Sequence, residues 1–517
     1  MSAWTGTGFP TTLSRVNPVD AASSYRNPII DADAPDPDAI RVGDRFYLVA
    51  SSFHRAPGLP IFASDDLVTW ERIGYAVDSS VPEAWFAQPR HGGGVWAPSI
   101  RHHDGLFHVV YPDPDQGVFV VTAADPAGPW SEPHLLLPGL GIIDPCPLWD
   151  DDGRTYLVHG WARSRAGRKN IVTVIAVDRE LRNPVGSAVD VIDGDLLDGF
   201  STLEGPKFYK REGEYWIFAP AGGVATGWQT VFRAPTPFGP YEHRITLAQG
   251  ETPVNGPHQG AWVEDGRGGD WFLHFQDRGV YGRVLHLQPM AWGADGWPVM
   301  GQAVSGGDAQ PVLRNPTPFG TVQGSRTLAR SDDFVDGRPS LHWQWEARVD
   351  PRTVSGEGLG LGLRASPDGG NVRTLPRVLS QNLPGEPCVA GIEVALQTSG
   401  AHERAGIAVL GRDYAWAGIR RTEAGVEAVV AVRDHDDQAE RVIATIPLDD
   451  ARIRVGVAVD ADARVRFTLG TTAVDPRFTA VEGHWVGASL SLFAASPFGA
   501  SEAIGRFADF TIHTQES

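Results

Sequence analysis

Between Asn27 and Gln302 the chain reads as short runs in which apolar or aromatic residues alternate with polar ones, each run ending at a tight glycine turn. Alternation at period two, interrupted by Asp-Gly or Glu-Gly pairs, predicts β-hairpins. The unit repeats as a strand, a glycine turn and an aromatic strand. Copies run from Asp36 to Gly43 and on to Arg45-Phe-Tyr-Leu-Val49, and from Trp96 to Gly105 and on to Leu106-Phe-His-Val-Val110. A third runs from Asp144 to Gly153 and Thr155-Tyr-Leu-Val158, a fourth from Glu204 to Gly213 and Glu214-Tyr-Trp-Ile-Phe218, and a fifth from His258 to Gly266 and Asp270-Trp-Phe-Leu-His274. Gly43 and Gly266 are 223 residues apart over four intervals, a mean near 56. That length holds four short strands and their turns, the size of one propeller blade, so five blades are predicted. No segment carries a long 3.6-period apolar stripe with caps, which sets helical repeats aside. A β-sandwich of irregular hairpins is the competing arrangement.

The period stops at a Gly/Pro-rich passage from Ser305 to Gly324, after which longer alternating strands appear, such as Val426 to Val432 and Ile453 to Val459. The predicted division is a propeller over 1–304, a linker over 305–324 and a second all-β domain over 325–517.

In a propeller the innermost strand of each blade lines the central channel, so the residues opening those strands gather at one mouth. Here they are Asp36, Trp96, Asp144, Glu204 and His258. Any one of the carboxylates could simply cap a turn. Three together repel and raise one another's pKa, which fold stability alone does not require. A carboxyl kept protonated as acid and a second kept ionised as base or nucleophile are what glycosidic bond cleavage needs, and an aromatic wall suits the apolar face of a sugar. Pro35, Pro37, Pro145, Pro147 and Pro206 stiffen the backbone around these side chains.

Composition narrows the partners. With 44 basic against 63 acidic residues the net charge is −19, with no basic cluster, which disfavours nucleic acid and anionic membranes. Three lysines (Lys169, Lys207 and Lys210) stand against 41 arginines, a bias read as codon usage and not phosphate recognition. Two isolated cysteines, Cys146 and Cys388, cannot build a disulfide framework or a cysteine-rich zinc site. Met1 to Val16 lacks a secretory leader pattern and no run of about 18 apolar residues follows, so a soluble, cytoplasmic bacterial protein is expected.

At these positions the sequence resembles glycoside hydrolase family 43, the five-bladed β-xylosidases and α-L-arabinofuranosidases. Ala34-Pro-Asp-Pro-Asp38 with Arg41-Val-Gly-Asp44, Val95-Trp-Ala-Pro-Ser-Ile100, Ile143-Asp-Pro-Cys-Pro147 and Leu203-Glu-Gly-Pro-Lys207 carry the likeness. It implies Asp36 as general base, Asp144 as the residue orienting and tuning the acid, and Glu204 as general acid. Tyr281-Gly-Arg283 with Leu287-Gln-Pro-Met290 and Gly296-Trp-Pro298 implies Arg283 as a substrate ligand. Phe53, before Pro57-Gly-Leu-Pro60, resembles a residue walling the terminal-sugar subsite, with Trp96 beside it. His258 in Gly256-Pro-His-Gln-Gly260 matches an axial histidine that holds calcium or its waters in many members. Calcium prefers six to eight oxygens, so one histidine implies an ion held mainly by water; no organic cofactor is implied.

Ser331-Asp-Asp-Phe334, Leu341-His-Trp-Gln-Trp345 and Arg404 to Tyr414 resemble the C-terminal concanavalin-like sandwich of one branch of that family, where it helps close the active site. The expected fold is thus all-β, a five-bladed propeller followed by a concanavalin-like β-sandwich, with the loop at Gln381-Asn-Leu-Pro-Gly385 as candidate closing element. A free-standing carbohydrate-binding module is the alternative for that domain. The expected activity is inverting exo-hydrolysis of small xylose- or arabinose-containing oligosaccharides. A retaining fructan-type hydrolase would carry a Trp-x-Asn-Asp-Pro-Asn type motif where Ala34-Pro-Asp-Pro-Asp38 stands. A non-catalytic sugar-binding propeller would need no acid–base pair. The sequence leaves a homo-oligomer open.

Overall fold

The computed structural model describes residues 24–78, 80–320, 326–356, 360–367, 369–398, 400–434, 439–497 and 501–514. Met1 to Val16, read as lacking a secretory leader pattern, and the end of the 305–324 passage lie outside them.

Five four-stranded antiparallel sheets follow one another in chain order. Their inner strands are Asp38–Val42, Ser99–His103, Ile142–Trp149, Lys207–Arg211 and His258–Glu264. Period-two alternation explains how the blades stack. In Arg45–Val49 of blade one, Phe46 and Leu48 join Trp271 and Leu273 of blade five in one core. Tyr47 and Val49 face the other way, into a core with Phe107, Val109 and Tyr111 of blade two. That strand thereby buries both faces between neighbouring blades, and the inner strand of blade five lies beside that of blade one.

The ring is closed by the segment entering blade one. Ile29 donates to the Leu285 carbonyl at 2.8 Å and Ala34 to that of Arg283 at 2.9 Å. The Asn27 side chain donates to the carbonyls of Leu287 and Val312, each at 2.8 Å. The passage read as a linker also folds back: Arg314–Pro316 pairs with Ser24–Arg26, and Gln302 bridges Gln310.

The C-terminal half is a two-sheet sandwich. One sheet runs in the order Gln344–Trp345, Val378–Asn382, Ser489–Ser496, Arg404–Leu410, Tyr414–Thr422, Gly425–Arg433, Arg441–Leu448. The facing sheet centres on Cys388–Gln397 between Ile504–Thr514 and Arg452–Val459. Ile392, Val394, Ile407, Val430, Leu492 and Phe507 fill the interior, all fully buried. Truncating a buried phenylalanine such as Phe507 to Ala costs about 3–5 kcal/mol. Trp345 and Ala56 exchange both backbone hydrogen bonds, at 2.7 and 2.9 Å, so the sandwich is stitched edge-on to blade one. Among the described residues no helix is long and apolar enough to cross a membrane.

Candidate active site

Asp36, Phe53, Trp96, Asp144, Glu204 and Arg283 line one pocket at the mouth of the propeller channel, together with Gln259, Val224 and Trp485. Local backbone distortion aims the carboxylates. Asp36 and Asp144 sit at φ 53° and 56°, in the left-handed region that costs a non-glycine residue free energy. At Asp144 the pairing with Thr155–Trp161 slips between Ile143 and Cys146, a bulge that turns the side chain out of the ladder. Glu204 precedes its strand by three residues and is followed by Gly205 at φ 60°, where a Cβ would meet the Gln259 side chain at 2.8 Å.

Asp36 is buried and held at both oxygens. Oδ1 accepts from Arg283 Nη1 at 2.8 Å, and Oδ2 from the Ser51 hydroxyl at 2.6 Å. Arg283 lies 4.9 Å from the Phe275 ring centroid and 5.9 Å from those of Phe53 and Trp485, so aromatic faces flank the guanidinium. Its backbone N–H donates to Asp33 Oδ1 at 2.8 Å.

Asp144 is buried, and its Oδ2 accepts from the Gly205 N–H at 2.8 Å. Burial first, then the negative charge of Glu204, pushes its carboxyl up to about 8. Lys207 works against that rise from a buried position, where its ammonium donates to the Pro98 carbonyl at 2.7 Å and the Ser99 hydroxyl at 2.8 Å. The one lysine of the three that reaches this region therefore ties inner strands together. Glu204 is the more exposed of the pair, and its Oε1 lies 3.0 Å from His258 Nε2. Asp144 therefore holds its proton at neutral pH beside Glu204.

His258 does not line the pocket; it stands behind Glu204, fully buried. Its Nδ1 is buried and has no hydrogen-bond partner among the described residues. That lone pair fits the single direct ligand expected for a water-held calcium. It would also fix the tautomer in which Nε2–H donates to Glu204.

Phe53 and Trp96 stand together on one side of this pocket, with ring centroids 6.2 Å apart and edge to face. Reading the sequence missed Trp485 and Ser51. Trp485 comes from the sandwich, at φ 67° on the loop after Thr472–Thr479, and meets Trp96 with centroids 6.2 Å apart. An exposed tryptophan bracketed by Gly483 and Gly487 was the available signal. The loop at Gln381 to Gly385, expected to close the site, packs instead on the entry to blade one. Asn382 Nδ2 donates to the Asp33 carbonyl at 3.0 Å and the Gly385 N–H to that of Asp31 at 2.8 Å. Those contacts place it beside the seam and outside the pocket lining. A second cavity shares Val224, Arg283 and Trp485 with the first and continues over Asp277, Arg412 and Glu482. The sandwich thus supplies both a wall and an approach.

A five-bladed propeller with three carboxylates in its axial pocket, roofed by a β-sandwich, defines the class of protein. The chain belongs to glycosyl hydrolases family 43, whose model matches residues 25–298; the beta xylosidase C-terminal concanavalin A-like domain matches residues 331–513. A putative beta-xylosidase of Xylanibacter ruminicola is 44% identical over 323 residues, 62% of this chain and 58% of the relative. A non-reducing end alpha-L-arabinofuranosidase of Bacteroides ovatus is 35% identical over 301 residues, 54% of each chain. The matched stretch therefore spans little more than half the length of these curated relatives. Among solved structures, the Bacteroides ovatus xyloglucan PUL GH43B protein superposes with TM-score 0.78 at 25% identity, over 95% of this chain and 100% of the other. A xylan beta-1,4-xylosidase from Bacillus halodurans gives 0.82 at 22% identity, over 95% and 100%, and shows the shared fold.

Proposed function

We propose that this protein is an inverting exo-glycosidase that removes terminal xylose or arabinose units from small oligosaccharides. The observation that carries the reading is the convergence of Asp36, Asp144 and Glu204 on one aromatic-walled pocket. Glu204, more exposed than Asp144, donates a proton to the departing glycosidic oxygen. Asp36 takes a proton from a water on the opposite face of the sugar, and the hydroxide bonds to the anomeric carbon as the C–O bond to the leaving group breaks. Arg283 and Ser51 hold Asp36 at both oxygens and fix its direction of attack. Asp144 acts through Glu204, holding its own proton beside it at neutral pH. A calcium on His258, if bound, would supply a fixed positive charge behind the acid.

Phe53, Trp96 and Trp485 offer apolar faces to the terminal sugar, and the adjoining cavity over Arg412 and Glu482 receives the rest of the chain. The names of the relatives support both pentoses. A panel of chromogenic β-D-xylosides, α-L-arabinofuranosides and hexosides tests the reading: release from pentosides alone is expected, and activity confined to hexosides or fructosides would overturn it.

A further inference from the structure

We propose that His54, His91 and Glu346 form a binding site for a first-row divalent metal ion at the seam between propeller and sandwich. His54 Nε2 lies 2.8 Å from Glu346 Oε2 and 3.1 Å from His91 Nδ1, and all three atoms lie within 4.8 Å of one another. Nitrogen and oxygen ligands about 2.0–2.2 Å from a tetrahedral ion stand roughly 3.3 Å apart, so only small shifts would admit one. Two histidines and a carboxylate suit zinc and its neighbours better than calcium.

The count of protons points the same way. His91 Nε2 lies 3.0 Å from the Arg373 carbonyl oxygen, which can only accept, so the ring proton sits on Nε2 and Nδ1 carries a lone pair. Glu346 Oε2 is an acceptor too. Both therefore face His54 Nε2, which has at most one proton to give, while His54 Nδ1 is buried without a partner. A cation among the three satisfies every lone pair at once. The surroundings behave as outer-shell partners do: Arg55 Nε donates to the other oxygen of Glu346 at 3.0 Å, turning Oε2 toward the imidazoles. His91 is the half-buried member, leaving a side on which water or hydroxide completes the coordination.

Such an ion would clamp the two domains beside the pocket without entering the chemistry. His54 follows Phe53, and His91 precedes Gly92, whose carbonyl accepts from Trp96 Nε1 at 3.1 Å. Glu346 follows Trp345, already paired with Ala56 across the seam. The assignment is independent of the pentosidase reading. Full-length protein is dialysed against EDTA, loaded with zinc, freed of excess and analysed by mass spectrometry, and crystals are measured at the zinc edge. About one zinc per chain is expected, falling at least about tenfold in Glu346→Gln and in His91→Ala. The anomalous peak should lie among the three side chains. Zinc retained equally by both variants, no zinc in the wild type, or a peak elsewhere such as at His258 would overturn it. The wild-type crystal decides even if a variant fails to fold.

Discussion

Trp485, on a loop of the C-terminal sandwich, meets Trp96 of blade two edge to face, with ring centroids 6.2 Å apart. Two domains of different architecture therefore build one aromatic wall of the pocket. Trp485 is 45% exposed and lies outside either core. Trp485→Ala should consequently leave thermal stability nearly unchanged while lowering kcat/KM on xylobiose about tenfold, close to 1.4 kcal/mol, mainly through KM. Steady-state kinetics on xylobiose and an aryl xyloside check this. Unchanged KM would mean that the loop stands clear of the substrate.

Asp36 and Glu204 should respond differently to the leaving group. Asp36→Asn loses water activation whatever departs, so turnover should fall by about 10²–10⁴ on every substrate. Glu204→Gln should lose a similar factor on xylobiose and far less on aryl glycosides whose leaving groups need no proton. Equal losses on both substrates in Glu204→Gln would remove it from the acid role.

Asp144 is expected to set an alkaline limit. Burial and the Glu204 charge raise its carboxyl to about 8, so Asp144 is protonated at neutral pH and ionises as pH rises through that value. On the proposed mechanism the Asp144 proton supports the acid step, so kcat/KM on xylobiose should fall above about pH 8 while activated aryl substrates stay flat. Asp144→Asn should move that limb. A pH profile unchanged in the variant would show that the limit belongs to another group.

Asp33 joins the domains immediately beside the site. Its Oδ1 accepts from the Arg283 N–H at 2.8 Å and its Oδ2 from the Gly487 N–H at 3.0 Å, two residues beyond Trp485. A Cβ at Gly282 would lie 2.2 Å from Oδ1, so only glycine fits against this carboxylate. Asp33→Ala strands two buried donors, at about 1–3 kcal/mol each. The urea midpoint should drop and KM should rise. An unchanged midpoint would show that water replaces the carboxylate without loss.

The blades were legible because a two-residue period and a glycine turn are local signals repeated five times, and the axial carboxylates follow from counting back to each strand's start. Positions fixed by contacts hundreds of residues apart were not. Trp485 becomes a pocket wall only because Gly487 docks on Asp33, and the loop at Gln381 was mistaken for the closing element because its docking onto Asp31 and Asp33 has no periodic trace. Asp36 and Asp144 were found as residue types, but their left-handed backbone, which aims them, reflects the surrounding packing.

The central claim is that Asp36 activates water while Glu204 protonates the leaving group, and the stereochemistry of the first product tests it most directly. Inverting enzymes hold the two carboxyls about 6.5–9.5 Å apart to admit that water, retaining ones about 5–5.5 Å. Proton NMR of the reaction with a β-xyloside, recorded before mutarotation, should show α-xylose first. β-Xylose as the first-formed anomer, or a fluorosugar trapped as an ester on Asp36, would make Asp36 a nucleophile and contradict the mechanism.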